Sequence, residues 1–164
     1  VVGYQAIELP YVGEQISMII LLPKDGWFEE FERSLDAKEL ASIVEGLKLE
    51  TVVLTMPKFR LTSEFSLANT LAALGMQDAF TGAADFSGMD GTRSLFIDNV
   101  VHKAFVSVDE AGTEAAAATA ALVHIGIPSR VIHITIDHPF IFLIRDIETK
   151  TILFIGRVID PSGS

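Results

Sequence analysis

The sequence contains no cysteine, which removes a disulfide framework, a thiolate nucleophile and cysteine-ligated zinc, and leaves the redox compartment open. Basic residues are scarce: Lys and Arg number 12 against 22 Asp and Glu, a formal net charge of −10. That balance gives no electrostatic footing on a phosphate backbone or an anionic membrane, so no nucleic acid and no membrane is expected as partner. Long apolar runs are missing too. Ile19-Ile20-Leu21-Leu22 meets Pro23, and Phe140-Ile141-Phe142-Leu143-Ile144 meets Arg145; neither can cross a bilayer. What is present is a composition built to fold, 49% hydrophobic and 21% charged, with 11 Phe against 2 Tyr and 1 Trp. Disorder and low complexity are excluded as the main description. The 164 residues fit one domain with a sizeable core, and no repeat or linker divides them. The opening Val1-Val2-Gly3-Tyr4, without basic leader or apolar signal core, reads as the inside of a fold.

Alternation marks strands at Val2, Tyr4, Ala6, Ile7 and Leu9 and at 16–22, with Pro10-Tyr11-Val12-Gly13-Glu14 as a hairpin loop between them. Trp27, Phe28, Phe31 and Leu35 recur at helical spacing. A second helix is predicted after an Asp36 N-cap, with Leu40, Ile43, Val44 and Leu47 on one face and Gly46 near its end. Residues 48–61 read as strand with a bend at Pro57. Helix is expected through Phe65, Leu67, Ala68, Leu71 and Leu74, closed by Gly75, followed by a turn-rich loop over 81–91. A long strand is expected over 95–108, apolar on both faces as in a covered sheet. Further strands are predicted at 131–136, 140–145 and 152–158, the last two joined by Asp146-Ile147-Glu148-Thr149-Lys150. The sum is α+β, mostly antiparallel sheet with about three short helices.

One segment does not fit its own propensity. Residues 110–122 hold Glu110, Ala111, Gly112, Thr113 and Glu114 followed by Ala115-Ala116-Ala117-Ala118. Local propensity reads helix capped at Thr113, yet successive alanines define no face that could hold such a helix on a core. The other reading is a spare strand. Small side chains slip between neighbours, and alternation sets Thr113, Ala115, Ala117 and Thr119 on one face, with Glu114, Ala116 and Ala118 on the other. Gly112 gives backbone freedom where the chain leaves the preceding strand.

This stretch, from Asp109 to Ala120, resembles the hinge of the serpins, protease inhibitors whose reactive-centre loop inserts into their own sheet. Val101-His102-Lys103-Ala104 resembles the family's strand leading to the hinge. Ala84-Asp85-Phe86-Ser87-Gly88 resembles the loop before it, and the stretches 137–144 and 154–161 resemble its C-terminal strands. The order and spacing agree along essentially the whole chain.

The resemblance implies a serpin fold of which this chain is the C-terminal part, with the reactive-centre loop at about 110–131. It implies no catalytic residue, no metal and no cofactor in the chain, and an extracellular setting. The partner is a serine protease, which cleaves the loop and forms a covalent acyl complex. The loop from Gly112 onward then inserts as a new strand, relieving a metastable state. The hinge matches the inhibitory pattern at Glu110, Gly112, Thr113, Glu114 and Ala115 to Ala118. Lys58 and Glu110 occupy positions of a family salt bridge, read either as an exposed pair worth ~0–1 kcal/mol or as a latch. His102 matches a gate histidine, read equally as a half-buried, hydrogen-bonded side chain. Family spacing counted forward from Glu110 points to the bond between Gly126 and Ile127 as scissile, spacing counted back from Pro139 points two residues later, into Pro128 and Ser129, and the bond between Arg130 and Val131 is a competitor that a trypsin-like protease would prefer.

Other constellations carry less. His133, Thr135 and Asp137 share a strand face and are read as ordinary polar residues, because no third ligand converges. Ser129, His133 and Asp137 lie on one extended stretch and cannot meet as a hydrolase triad. The family's chain is much longer, so a complementary N-terminal serpin portion is an expected partner. The alternative function is a non-inhibitory binding or scaffold protein of the same architecture.

Overall fold

A computed structural model of the chain describes residues 3–109, 112–113 and 131–161. They form two compact units, one built from the residues up to Phe59 and from Val108 onward, the other from Arg60 to Ser107.

The first unit centres on a four-stranded antiparallel sheet in the order β1-β2-β8-β9, with β1 at Tyr4–Pro10, β2 at Ile16–Pro23, β8 at Phe140–Asp146 and β9 at Ile152–Val158. The central strands β2 and β8 are apolar without interruption from Met18 to Pro23 and from Phe140 to Ile144, and these stretches are buried on both faces. On one face lie helices α1 (Phe28–Ser34) and α2 (Ala37–Glu45). There Ile19, Leu21, Ile141 and Leu143 of the sheet meet Phe31 and Ile43 of the helices. On the other face Phe59 sets its ring 5.6 Å from that of Phe140 and 5.3 Å from that of Phe142. The Asp36 cap is in place: its side chain accepts the Glu39 N–H at 2.8 Å, and Gly46 ends α2.

Residues 48–61 divide at Met56-Pro57-Lys58 into two strands that join different sheets. β3 (Thr51–Thr55) pairs in parallel with β7 (Val131–Thr135), from Thr51 opposite Val131 to Thr55 opposite Thr135. This pair is parallel within a fold expected to be mostly antiparallel; the two strands are far apart in sequence, which is the long connection that parallel pairing requires.

In the second unit β4 (Phe59–Ser66, whose first residue belongs to the first unit) neighbours β5 (Val101–Asp109, whose last two residues belong to the first unit). Three expectations are corrected here. Helix was expected from Phe65, but Phe65 and Ser66 are strand and α3 begins at Ala68. The Leu67 N–H donates to the Val100 carbonyl at 2.8 Å, so the chain stays committed to its neighbour until the helix can open on the Leu67 carbonyl. Gly75, with φ +109, interrupts the following Ala72–Met76 turn as expected of a helix end. Strand was expected from residue 95 but starts at Val101. Asn99 is the reason: its side-chain oxygen takes the Val100 N–H at 2.9 Å and the Ser66 hydroxyl, while the Ile97 N–H goes to the Ala79 carbonyl at 2.9 Å. The turn-rich loop over 81–91 also contains a one-turn helix, α4 (Ser87–Asp90).

Candidate functional site

The end of β5 positions the candidate site. Toward the end of β5 the side chains of Val106 and Val108 turn inward and are buried and Ala104 is partly so, while Phe105, Lys103 and Asp109 are exposed, as is His102 nearer the start of the strand. After Asp109 the chain reverses and Gly112–Thr113 forms the short strand β6, antiparallel to β5, with Gly112 opposite Asp109 and Thr113 opposite Val108. On the other edge β5 is bounded by β4, with Lys103 Nζ 2.8 Å from Glu64 Oε2.

The predicted site residues are spread over the molecule. Of the predicted hinge residues, Gly112 and Thr113 stand together in β6, opposite Asp109 and Val108. Glu110, Glu114, Ala115, Ala116, Ala117, Ala118, Gly126, Ile127 and Arg130 lie outside the described residues, so the pairing of Lys58 with Glu110 does too; Lys58 itself is an exposed residue of the connector between β3 and β4. His102 was weighed as half-buried and is exposed instead. It stands on β5 with its ring 5.2 Å from that of Phe65 at 49°, and the Phe65 side chain it packs on is itself 49% exposed. Val131 is the first residue of β7, fixed opposite Thr51. His133 and Thr135 are exposed on β7, but Asp137 lies past its end and pairs with His138.

Two polar arrangements were missed from the sequence. Glu8, Ser17 and Arg145 tie β1, β2 and β8 together: Glu8 Oε1 accepts the Ser17 hydroxyl at 2.6 Å and Arg145 at 2.7 Å. Burial pushes the Glu8 carboxyl up, but the Ser17 hydroxyl and the Arg145 guanidinium outweigh it and hold the group below the ordinary carboxylate range. The available signal was a serine and an arginine bordering otherwise apolar runs. The second arrangement is the His138 ring between Asp137 and the Pro23 carbonyl, where a histidine between an acid and a proline gave the only hint. Among the described residues no group of three or more His, Asp or Glu could hold a metal ion, and no helix is long and apolar enough to cross a membrane.

The family model described as Serpin (serine protease inhibitor) matches residues 1–161. An uncharacterized serpin-like protein of Thermococcus kodakarensis is 46% identical over 160 residues, which cover 96% of this chain and 37% of that protein. The leukocyte elastase inhibitor of Equus caballus is 42% identical over 165 residues, covering 96% of this chain and 44% of its own length. Among solved structures, human thyroxine-binding globulin complexed with thyroxine matches with a TM-score of 0.81 at 32% identity, over 98% of this chain and 42% of that one. The chain thus spans well under half the length of each of these relatives.

Proposed function

Because the chain belongs to the serpin family, we propose that it is the C-terminal portion of a single serpin domain that inhibits a serine protease, with residues 110–131 as the bait loop. The protease's serine hydroxyl attacks the carbonyl carbon of Gly126. The bond from Gly126 to Ile127 breaks, the Ile127 amine leaves with a proton, and an ester to the protease remains. The cut loop then adds to β5 faster than water hydrolyses the ester. The chain supplies a substrate and a spring, not a catalyst.

The observation that carries this reading is the register of β6 on β5. Continued down β5, it sets Ala115 opposite Val106, Ala117 opposite Ala104 and Thr119 opposite His102. Directly opposed residues share a face, so Thr113, Ala115 and Ala117 join the side on which Val106 and Val108 are buried, while Thr119 meets the exposed His102. Glu114 falls opposite Ser107 and Ala116 opposite the exposed Phe105, so the one charge of the inserting stretch stays in water. The choice of scissile bond is supported by Val131. A protease cleaving before Val131 needs Val131, Ile132 and His133 extended in its own cleft, and these three residues are engaged with Thr51, Val52 and Val53.

The second reading, a binding protein that does not inhibit, is favoured by the likeness to a thyroxine-binding globulin. Incubation of the full-length protein with elastase-like and trypsin-like proteases separates the two. A heat- and detergent-resistant complex is expected, and Ala117→Pro, which removes a ladder donor, is expected to convert trapping into plain cleavage. Cleavage of the unsubstituted protein with no complex overturns inhibition, and a new N-terminus at Val131 overturns the assigned bond.

A further inference from the structure

Two prolines meet where the ladder between β2 and β8 stops. The last paired residues are Leu21 and Ile141; two steps further the same register sets Pro23 against Pro139, and neither has an N–H to give. Pro23 is fully buried, so its carbonyl must find a donor outside the ladder. His138 supplies one, with Nε2 2.7 Å from the Pro23 oxygen, while Nδ1 lies 2.7 Å from Asp137 Oδ1. A carbonyl and a carboxylate only accept. Both ring nitrogens therefore have to donate, and the imidazolium alone carries two N–H groups.

We propose that His138 is a proton-dependent clasp, which in its charged form holds the connector between β7 and β8 onto the end of β2 and which slackens when the ring is neutral. A neutral ring has one N–H for two acceptors. The buried Pro23 oxygen keeps it, because an unsatisfied buried carbonyl costs more than a solvated carboxylate. The Nδ1 lone pair then faces the Asp137 carboxylate, whose side chain is 71% exposed and free to turn away. The connector loses its second tether.

The surrounding charges favour the clasped state. Asp137 adjoins the ring, and Asp25 and Lys24 follow Pro23 in the chain. Across an open cleft of about 670 Å³ stand Glu29, Glu30, Glu32 and Arg33 of α1, and Arg157 of β9. The two arginines are occupied, Arg33 with Glu29 at 3.0 Å and Arg157 with Glu32 at 2.8 Å. Glu30, Asp25 and Asp137 then outnumber Lys24. Burial of the ring disfavours its charge, but the hydrogen bonds to Asp137 and Pro23 and the fields of Asp137 and Asp25 prevail and raise the His138 pKa above the ordinary imidazole value. A pKa raised in the fold gives stabilisation that is complete below the unfolded value, about 6.5, and is lost as pH rises through the folded midpoint.

The test is a nitrogen-15 NMR titration of His138 in the full-length protein, with amide protection factors across the same range. Both ring nitrogens should be protonated at low pH, and Asp137→Asn should lower the midpoint. The Ile136 amide, which donates to the Thr55 carbonyl at 2.8 Å at the base of the connector, should lose about three- to tenfold in protection as the ring neutralises, the equilibrium equivalent of one hydrogen bond. His138→Gln keeps a donor but cannot titrate, and should flatten that dependence. A ring with a single N–H throughout, a midpoint indifferent to Asp137→Asn, or an unchanged pH dependence in His138→Gln would each overturn the clasp.

Discussion

Strands β5 and β8 each carry five apolar residues, consecutive in β8 and interrupted by His102, Lys103 and Ser107 in β5, and they meet opposite fates. In β8 all five residues from Phe140 to Ile144 are buried, whereas in the nine residues of β5 only Val106 and Val108 are. Besides the polar residues within β5, the difference lies in their neighbours. β8 has ladder partners on both edges, helices against one face and Phe59 against the other. β5 has β4 on one edge, and on the other, among the described residues, ladder partners only at Val108 and Asp109. A strand closed on every side fixes a core; a strand with an edge to spare can accept another strand, which is what the proposed inhibition requires.

The comparison breaks most visibly if truncation costs the same in both strands. Phe142→Ala removes a ring that is 2% exposed and should destabilise the protein by about 3–5 kcal/mol in a denaturant titration. Phe105→Ala, at a side chain 54% exposed, should cost no more than ~0.5 kcal/mol. Gly156 sharpens the point, because a Cβ there would lie 2.6 Å from the Phe142 ring. Gly156→Ala should cost about 1–3 kcal/mol alone and much less in the Phe142→Ala background, where the methyl has room.

A smaller effect is expected from the polar tie across the closed sheet. Arg145→Met leaves Glu8 charged with Ser17 as its remaining partner. The loss should be roughly 2–3 kcal/mol, at or below the low end for a broken buried pair because Glu8 is 23% exposed. The pH dependence has a definite sign. The Glu8 pKa is lowered in the fold, so its contribution is complete above the unfolded value near 4.3 and fades as pH falls through the folded one. Arg145→Met should therefore narrow the stability difference from the parent protein as the solution is acidified, and a difference that widens in acid would refute the assignment.

The same contrast decides what was legible beforehand. Elements set by local chemistry were readable: the Asp36 cap, the β1 and β2 hairpin, and the connection from β8 to β9, where Asp146 accepts the Thr149 N–H at 2.7 Å. Elements set by distant partners were not. Nothing near Thr51 announces a parallel partner at Val131, and alternation continues through 95–100 although Asn99 has turned the backbone aside. Of the candidate site, Gly112 is readable as a point of backbone freedom after β5, because glycine carries no Cβ. The exposure of His102 was not, since it depends on Phe65 standing beside it. His138 went unread because its meaning comes from two prolines 116 residues apart, which only the sheet brings together.

The least disruptive change tests the open strand on its solvent side. Lys103 and Glu64 lie 2.8 Å apart with side chains 68% and 55% exposed, so water screens the attraction and ordering two long side chains offsets most of it. Lys103→Ala should cost ~0–1 kcal/mol, and the cost should shrink in molar salt, where the screening length is about 3 Å. Because Lys103 belongs to the exposed face of β5 and the small residues of the loop are assigned to the buried one, the substitution should also leave the yield of covalent protease complex unchanged. Ala104→Glu, on the inward face, should reduce that yield while cleavage persists. Equal effects from the two substitutions would mean that β5 does not distinguish its faces when the loop arrives, and the register argument would then lose its physical basis.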